Sequence, residues 1–362
     1  MKILMINKFL RPKGGAETYV LQLGRYLEEQ GHQVQYFGME HPENVVGNRV
    51  QSYTRNVDFH HISPGEKLRW GFRVVYSAEA RQKLRRVLED FQPEVCHLNN
   101  FNYQLTPSIL LEIRKWSRET KRPCRIVYTA HDYQLVCPNH MCYDGAKNCE
   151  KCLDGHYGSC VKGKCIHGSF LRSFLGAMES ALWHRVGIYR ELDTILCCSE
   201  FLKEKLDTDP LLREKTILLR NFSISTEKQE GPGEYVLYFG RYSQEKGVGL
   251  LAEAAKELPD IPFVFAGAGD LEEVLKQIPN IRNVGFQTGG ALKQLIQGAR
   301  FTVCPSLWYE NCPFSVLESL ERGVPVLGAK TGGIPELIQP GITGQLFPPN
   351  DLPALKEAIA HM

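Results

Sequence analysis

Short apolar runs alternate with helix-like stretches along all 362 residues, and no other feature restricts the fold as much. In the first half the expected strands are Lys2–Asn7, Gln33–Gly38, Glu94–Leu98, Arg125–Ala130, Thr194–Cys198 and Thr216–Leu219. Most are rich in Val and Ile, as in strands covered on both faces. Helices are expected between them, at Ala16–Gln30, Ala78–Phe91, Pro107–Thr120 and Phe170–Arg190. The second half repeats the pattern, with strands at Tyr235–Phe239, Pro262–Ala266, Arg282–Gly285, Phe301–Cys304, Val324–Ala329 and Gln345–Phe347. Its helices are expected at Val248–Leu258, Leu271–Gln277, Ala291–Gln297, Pro313–Arg322 and Pro335–Ile338. Such alternation specifies parallel sheets covered by helices. The polar, Gly-containing run 223–233 reads as a linker. The expected architecture is α/β, with two doubly wound, Rossmann-like domains, 1–222 and 234–362, facing each other across a cleft.

A formal net charge of +2 gives no field for nucleic acid. No apolar run reaches the roughly 18 residues of a membrane span. The opening MKILMINKFL lacks a small-residue cleavage site and reads as a buried strand. The expected location is cytoplasmic, extending to the inner face of the membrane. Residues 66–86 carry Lys67, Arg69, Arg73, Arg81, Lys83, Arg85 and Arg86 among Trp70, Phe72 and Tyr76. They form either a solvated basic helix face or a peripheral contact with an anionic membrane.

In doubly wound sheets ligands bind beyond the carboxyl ends of the strands. After Phe301–Cys304 a loop carries Glu310, Pro313 is placed to open a helix, and Glu318 lies about a turn and a half inside it. The amides of Phe314 and Ser315 lie between the two carboxylates, where a helix start suits phosphate. An acidic first turn, ordinary for helices, is the other reading. Gly240-Arg241 and Lys246-Gly247 put two cations on one strand-to-helix loop, either for phosphate or simply solvated. Gly14 and Gly15 join the first strand to the first helix, as a backbone approach to a ligand or a plain tight turn. Neither this loop nor 266–270 completes the dinucleotide pattern G-x-G-x-x-G. His131 ends the fourth strand and is either structural or functional.

Glu310-x7-Glu318, Gly240-Arg241 with Glu245-Lys246-Gly247, the Gly14-Gly15 loop and His131 together resemble the family 4 retaining glycosyltransferases of the GT-B fold. The resemblance covers nearly the whole chain. It implies transfer of a sugar from a nucleotide-diphosphate-sugar to a glycan or glycolipid acceptor, in surface polysaccharide or glycoconjugate assembly, without a catalytic metal or cofactor. It implies that Glu310 supports charge developing on the donor sugar and that Glu318 accepts from the ribose hydroxyls. Arg241 and Lys246 would hold the diphosphate, assisted by the backbone of Gly14 and Gly15 and the amides of Phe314 and Ser315. His131 would orient the sugar, and Phe286 with residues 282–285 would border the base. Members of this type usually end in a long helix crossing back to the first domain, whereas this chain stops at Met362. The crossing helix is therefore expected to be absent or cut short.

Six of the twelve cysteines, Cys137, Cys142, Cys149, Cys152, Cys160 and Cys165, fall in one insert, 137–168. In a cytoplasmic setting a C-x2-C pair with further cysteines points to metal before disulfide. The intervening segments are turn-rich and poor in apolar residues, so a structural zinc is expected to order them. By resemblance to family members with such an insert, the ligands are Cys137, Cys149, Cys152 and Cys165. Cys142, Cys160, His140, His156 and His167 stand as substitutes, and an iron–sulfur cluster or uncoordinated thiols are the other readings. Against an active transferase stand two alternatives: a catalytically degenerate GT-B protein that binds a nucleotide or a partner, and an epimerase or phosphorylase on the same architecture.

Overall fold

The computed structural model describes residues 1–56, 73–222, 231 and 233–362. The expected linker, apart from Gly231 and Gly233, and the basic-stretch residues Lys67, Arg69, Trp70 and Phe72 lie outside the described residues. The chain divides into two compact units. The first comprises 1–144, 149–198 and 202–219; the second comprises 145–148, 199–201 and 220–362.

In the first unit six parallel strands lie in the order β2-β1-β3-β4-β5-β6. They are β1 (Lys2–Ile6), β2 (Gln33–Phe37), β3 (Val95–Leu98), β4 (Arg125–Ala130), β5 (Thr194–Cys197) and β6 (Thr216–Leu218). The helices are α1 (Gly15–Glu29), α2 (Ala78–Phe91), α3 (Ser108–Thr120), α4 (Gly158–Lys162) and α5 (Phe170–Val186). In α2 the Ser77 hydroxyl accepts from the Ala80 amide at 3.1 Å, meeting one of the donors a helix start leaves open. Helix α5 stops short of the expected Arg190 because Gly187 takes a left-handed φ of +71°. A 3₁₀ turn, Ile188–Glu191, follows. Strand order reverses between β1 and β3, so the loops after those two strands define this unit's crevice.

Helix α6 (Glu200–Leu206) has residues 202–206 in the first unit and 200–201 in the second, whose six parallel strands lie in the order β12-β11-β10-β7-β8-β9. The strands are β7 (Tyr235–Phe239), β8 (Phe263–Ala266), β9 (Ile281–Asn283), β10 (Ala299–Cys304), β11 (Val326–Ala329) and β12 (Gly344–Phe347). Helices α7 (Val248–Lys256), α8 (Glu272–Leu275), α9 (Gly289–Gln297), α10 (Phe314–Glu321) and α11 (Leu352–His361) complete it. The expected helix at Pro335–Ile338 is a single 3₁₀ turn, Ile334–Glu336. Helix α11 is not among the sequence expectations. Its start is capped by Asp351, which accepts from the Ala354 amide at 2.9 Å. Its Leu355 and Ile359 join Leu251 and Ala255 of α7 in the core, a burial that contributes roughly 1.5–3 kcal/mol for each large side chain. Strand order here reverses between β7 and β10.

A buried carboxyl in the first unit sets a pH dependence. Glu179 of α5 is 1% exposed, and its Oε1 has no hydrogen-bond partner. Burial, opposed only by a hydrogen bond from Ser180, raises its carboxyl to about 8 from 4.5. The folded protein thus keeps a proton that the unfolded chain releases near 4.5, and stability falls as pH rises from 4.5 through 8. Glu179→Gln removes that loss. It is expected to leave stability near pH 4.5 almost unchanged and to add about 4 kcal/mol at pH 8. Denaturant melts at the two pH values check this, and an equal midpoint for both proteins at the higher pH would refute it.

Candidate active site

Two groups of side chains gather at strand carboxyl ends, one in each unit. In the second unit the loop after β7 holds Gly240, Arg241 and the 3₁₀ turn Gln244–Lys246. The loop after β10 holds residues 305–313. The amide of Leu307 donates to the Glu245 carbonyl at 2.9 Å, which ties the two loops together at the reversal of strand order. Gly247 has φ +72°, and a Cβ there would lie 1.9 Å from the Pro305 carbonyl oxygen. This position therefore takes glycine, and the close approach brings Lys246 onto Glu310.

Glu310 is 7% exposed, yet it is charged. Three donors reach its Oε1: Lys246 Nζ at 2.6 Å, Ser306 Oγ at 2.7 Å and Trp308 Nε1 at 2.9 Å. Burial pushes the carboxyl up, but the Lys246 charge and these hydrogen bonds outweigh it and hold the group below the usual carboxylate range. All three donors converge on this one oxygen of the carboxylate. Lys246 also lies 5.0 Å from the centre of the Trp308 ring. Below this pair, Gly332 and Gly333 pack against the backbone of Glu310 and Asn311, with the Gly333 amide donating to the Glu310 carbonyl at 2.7 Å.

Pro313 is not the first helical residue. It is the N-cap, with an extended ψ of 126°, and α10 begins at Phe314. The first amides to bond back within the turn are those of Val316 and Leu317, to the Pro313 carbonyl at 3.1 and 3.3 Å. The amides of Phe314 and Ser315 therefore have no intrahelical acceptor, as at any helix start. Glu318 is half-buried; burial raises its carboxyl, and nearby Arg322 opposes the rise. Arg241 is exposed and 3.5 Å from Glu245. Phe286, beyond the end of β9, is 69% exposed.

In the first unit Gly14 is the N-cap of α1, in extended conformation and without a side-chain cap, so the helix presents open amides beside Gly15. His131 follows β4. Its Nε2 lies 2.9 Å from Asn99 Oδ1, and the Asn99 amide nitrogen donates to the His97 carbonyl at 3.4 Å. That orientation makes Nε2 the protonated nitrogen and Nδ1 the acceptor. The Tyr19 ring meets the imidazole edge-on at 5.1 Å. Burial, with His97 beside it, pushes His131 down to about 3, so it is neutral at physiological pH. Lys8, at the end of β1, is lowered by burial against the pull of Asp132 and Glu17. The expectations did not include Lys8, Asn99, Ser306, Trp308 or the Gly332-Gly333 pair. Of these only the paired glycines carried a local signal, the same one that marked Gly14 and Gly15.

The cysteine insert departs from expectation. Cys137 is contacted by Cys142 and Cys152, whose hydrogen bonds hold its thiol well below the ordinary range, while Cys160 neighbours Cys165. Cys137, Cys149, Cys152 and Cys165 do not form the expected tetrad. Among the described residues no group of three or more His, Cys, Asp or Glu side chains is placed to hold a metal ion. Within the insert Cys142 takes a φ of +46°, and the Cys149 amide donates to its carbonyl at 2.7 Å. Nor does the insert lack a core. Cys152, Tyr157 and Cys160 pack with Ala177 of α5. In the basic stretch Arg73 pairs with Glu79, and Arg81 and Arg85 both grip Glu112, at 2.7 and 3.1 Å. These cations are engaged within the protein.

Residues 221–362 match the family model described as glycosyl transferases group 1, and residues 13–222 match glycosyltransferase family 4. An uncharacterized 42.6 kDa protein in the cps region of Klebsiella pneumoniae is 24% identical over 93% of this chain and 87% of its own length. A phosphatidyl-myo-inositol mannosyltransferase of Mycobacterium leprae is 22% identical over 96% of this chain and 83% of its own. Other curated relatives are spanned over only 28% to 49% of their length. The crystal structure of Anabaena HepE in complex with UDP superposes with a TM-score of 0.66 at 16% identity, covering 100% of this chain and 89% of that one. At that identity the likeness establishes the shared GT-B fold.

Proposed function

Because the chain belongs to glycosyltransferase family 4 and is a glycosyltransferase, we propose that it transfers a sugar, with retention, from a nucleotide-diphosphate-sugar to a glycan or glycolipid acceptor in surface polysaccharide or glycoconjugate assembly. The observation that carries this reading is the Lys246–Glu310 pair, with Glu310 buried and Lys246 half-buried, before the start of α10. Departure of the leaving group puts negative charge on a diphosphate and positive charge on a sugar ring. Lys246, Arg241 and the amides of Phe314 and Ser315 meet the first charge, and Glu310 meets the second. The groups are already oriented and partly withdrawn from water, which strengthens each interaction. Glu318 accepts from the ribose hydroxyls, and exposed Phe286 offers an aromatic surface to the base. Neutral His131 orients the sugar through hydrogen bonding, and Gly14 and Gly15 add backbone amides toward phosphate. The family resemblance supports these roles. The glycolipid acceptor class is supported by the name of the mycobacterial relative, and a nucleotide donor by the UDP bound to the Anabaena protein.

A thermal-shift titration with UDP, GDP, ADP and CDP tests the donor site. One of them is expected to raise the melting temperature of the wild type. A ligand at about 100 times its dissociation constant adds roughly 2.7 kcal/mol. Lys246→Ala is expected to lose most of that shift. If no nucleotide shifts the wild type, the protein is a degenerate GT-B chain and the proposal fails.

A further inference from the structure

Helix α5 is inverted relative to an ordinary surface helix. Its inward side carries the buried residues Ser173, Gly176, Ala177, Glu179, Ser180 and Trp183. Its outward side carries Phe170, Leu171, Phe174, Leu182 and Val186, which are 61, 56, 47, 43 and 56% exposed. Half-buried Leu175 and Met178 fall between them. At helical spacing these seven positions span one continuous arc of about 160°, along a helix about 25 Å long. The rings of Phe170 and Phe174 stack at 6.4 Å at its start. Scattered apolar residues on a surface need no explanation, but a contiguous face of this kind marks a contact.

Charge selects the occupant. From Gly158 to Gly187 the exposed charged residues are Lys162, Lys164, Arg172 and Arg185, all cations. The single carboxylate of the segment, Glu179, is 1% exposed and faces the core. Arg185 lies within the apolar arc at the last turn and Arg172 at its edge, where long stems can lie along acyl chains with their heads at the phosphates. A second copy of this chain, docked through the same face, would set these cations against each other. No helix among the described residues is long and apolar enough to cross a membrane. We propose that α5, with the Lys162–Lys164 turn before it, lies in the interface of an anionic phospholipid membrane and docks the first unit there. The surface lies outside the donor site, so the proposal stands whether or not the donor assignment does.

The test is flotation of the full chain with phosphatidylcholine vesicles, with and without phosphatidylglycerol. Binding is expected to the anionic vesicles and to weaken as salt rises. Phe170→Glu with Phe174→Glu is expected to weaken it tenfold or more, by about 1.4 kcal/mol or more. Leu171→Glu with Leu182→Glu, a second exposed pair, is expected to do the same, and an unchanged melting temperature shows that either pair leaves the fold intact. Arg86→Glu, on α2, is expected to leave binding unchanged. Three results would overturn the proposal: no flotation of the wild type with anionic vesicles, binding that both glutamate pairs leave intact, or a dimer in light scattering that the same pairs dissolve without any vesicle binding.

Discussion

Glu310→Gln is expected to lower the rate of transfer about 10²–10³-fold, the scale for loss of one preorganised charge at a reacting centre. Glutamine keeps an oxygen for Ser306 and Trp308 to donate to, so the local scaffold persists. What disappears is the negative charge that Lys246 and a developing cation both require. The effect should fall on kcat more than on KM for the donor, because the groups proposed to hold the diphosphate, Lys246, Arg241 and the α10 amides, keep their chemistry. A nucleoside diphosphate should therefore still raise the melting temperature of the variant. Release of nucleoside diphosphate from a turned-over nucleotide-sugar carrying the base that the thermal shift identifies measures kcat, and a value within fivefold of wild type would remove Glu310 from the reaction. The mutation also leaves a lysine that is largely enclosed without its countercharge, so some loss of stability accompanies it.

Gly247→Ala is expected to be among the most damaging single-methyl changes in the second unit, at about 3 kcal/mol or more. Two independent penalties meet there. The residue has φ +72°, in the left-handed region, and the added Cβ would lie 1.9 Å from the Pro305 carbonyl oxygen. Since that oxygen is backbone, relief requires the 305–313 loop to move, and with it Ser306, Trp308 and Glu310. The variant should melt several degrees lower and should also lose the nucleotide-induced shift. A neighbour, Gly249, is built with nothing within 4 Å of its would-be Cβ, so Gly249→Ala should be close to neutral and serves as the control. Equal melting temperatures for the two variants would contradict this account of the loop contact.

These two residues show what each level of description contributes. Gly247 and Glu310 were both legible in the chain, but not their connection. Lys246 was readable as a phosphate partner. That it reaches Glu310 at 2.6 Å follows only from the adjacency of β7 and β10, which are separated by two further strands in sequence. Trp308 and Ser306 carried no local signal, because a tryptophan and a serine in a loop have many uses and only folding directs both onto one carboxylate oxygen. Asn99 was hidden for the same reason: it ends β3, while the histidine it orients follows β4. The cysteine insert shows the converse limit of a local pattern. Spacing suggested a metal tetrad, whereas apolar packing of Tyr157 and Cys160 onto α5 supplies a core that composition within the insert did not reveal.

The sequence by itself determined the α/β class: among the described residues eight of the eleven helices and the twelve strands follow from periodicity and burial of short apolar runs, and α4, α6 and α11 are the helices it did not announce. It also determined which charged residues stand at strand ends, because a short buried strand leaves its polar flank at the sheet's edge. Only the tertiary structure decided which of those ends meet. Strand order is set by long-range pairing, and no local pattern encodes it. The outward face of α5 belongs to the same category: its sequence is apolar on most sides, and only packing shows that the small and polar side is the one turned inward.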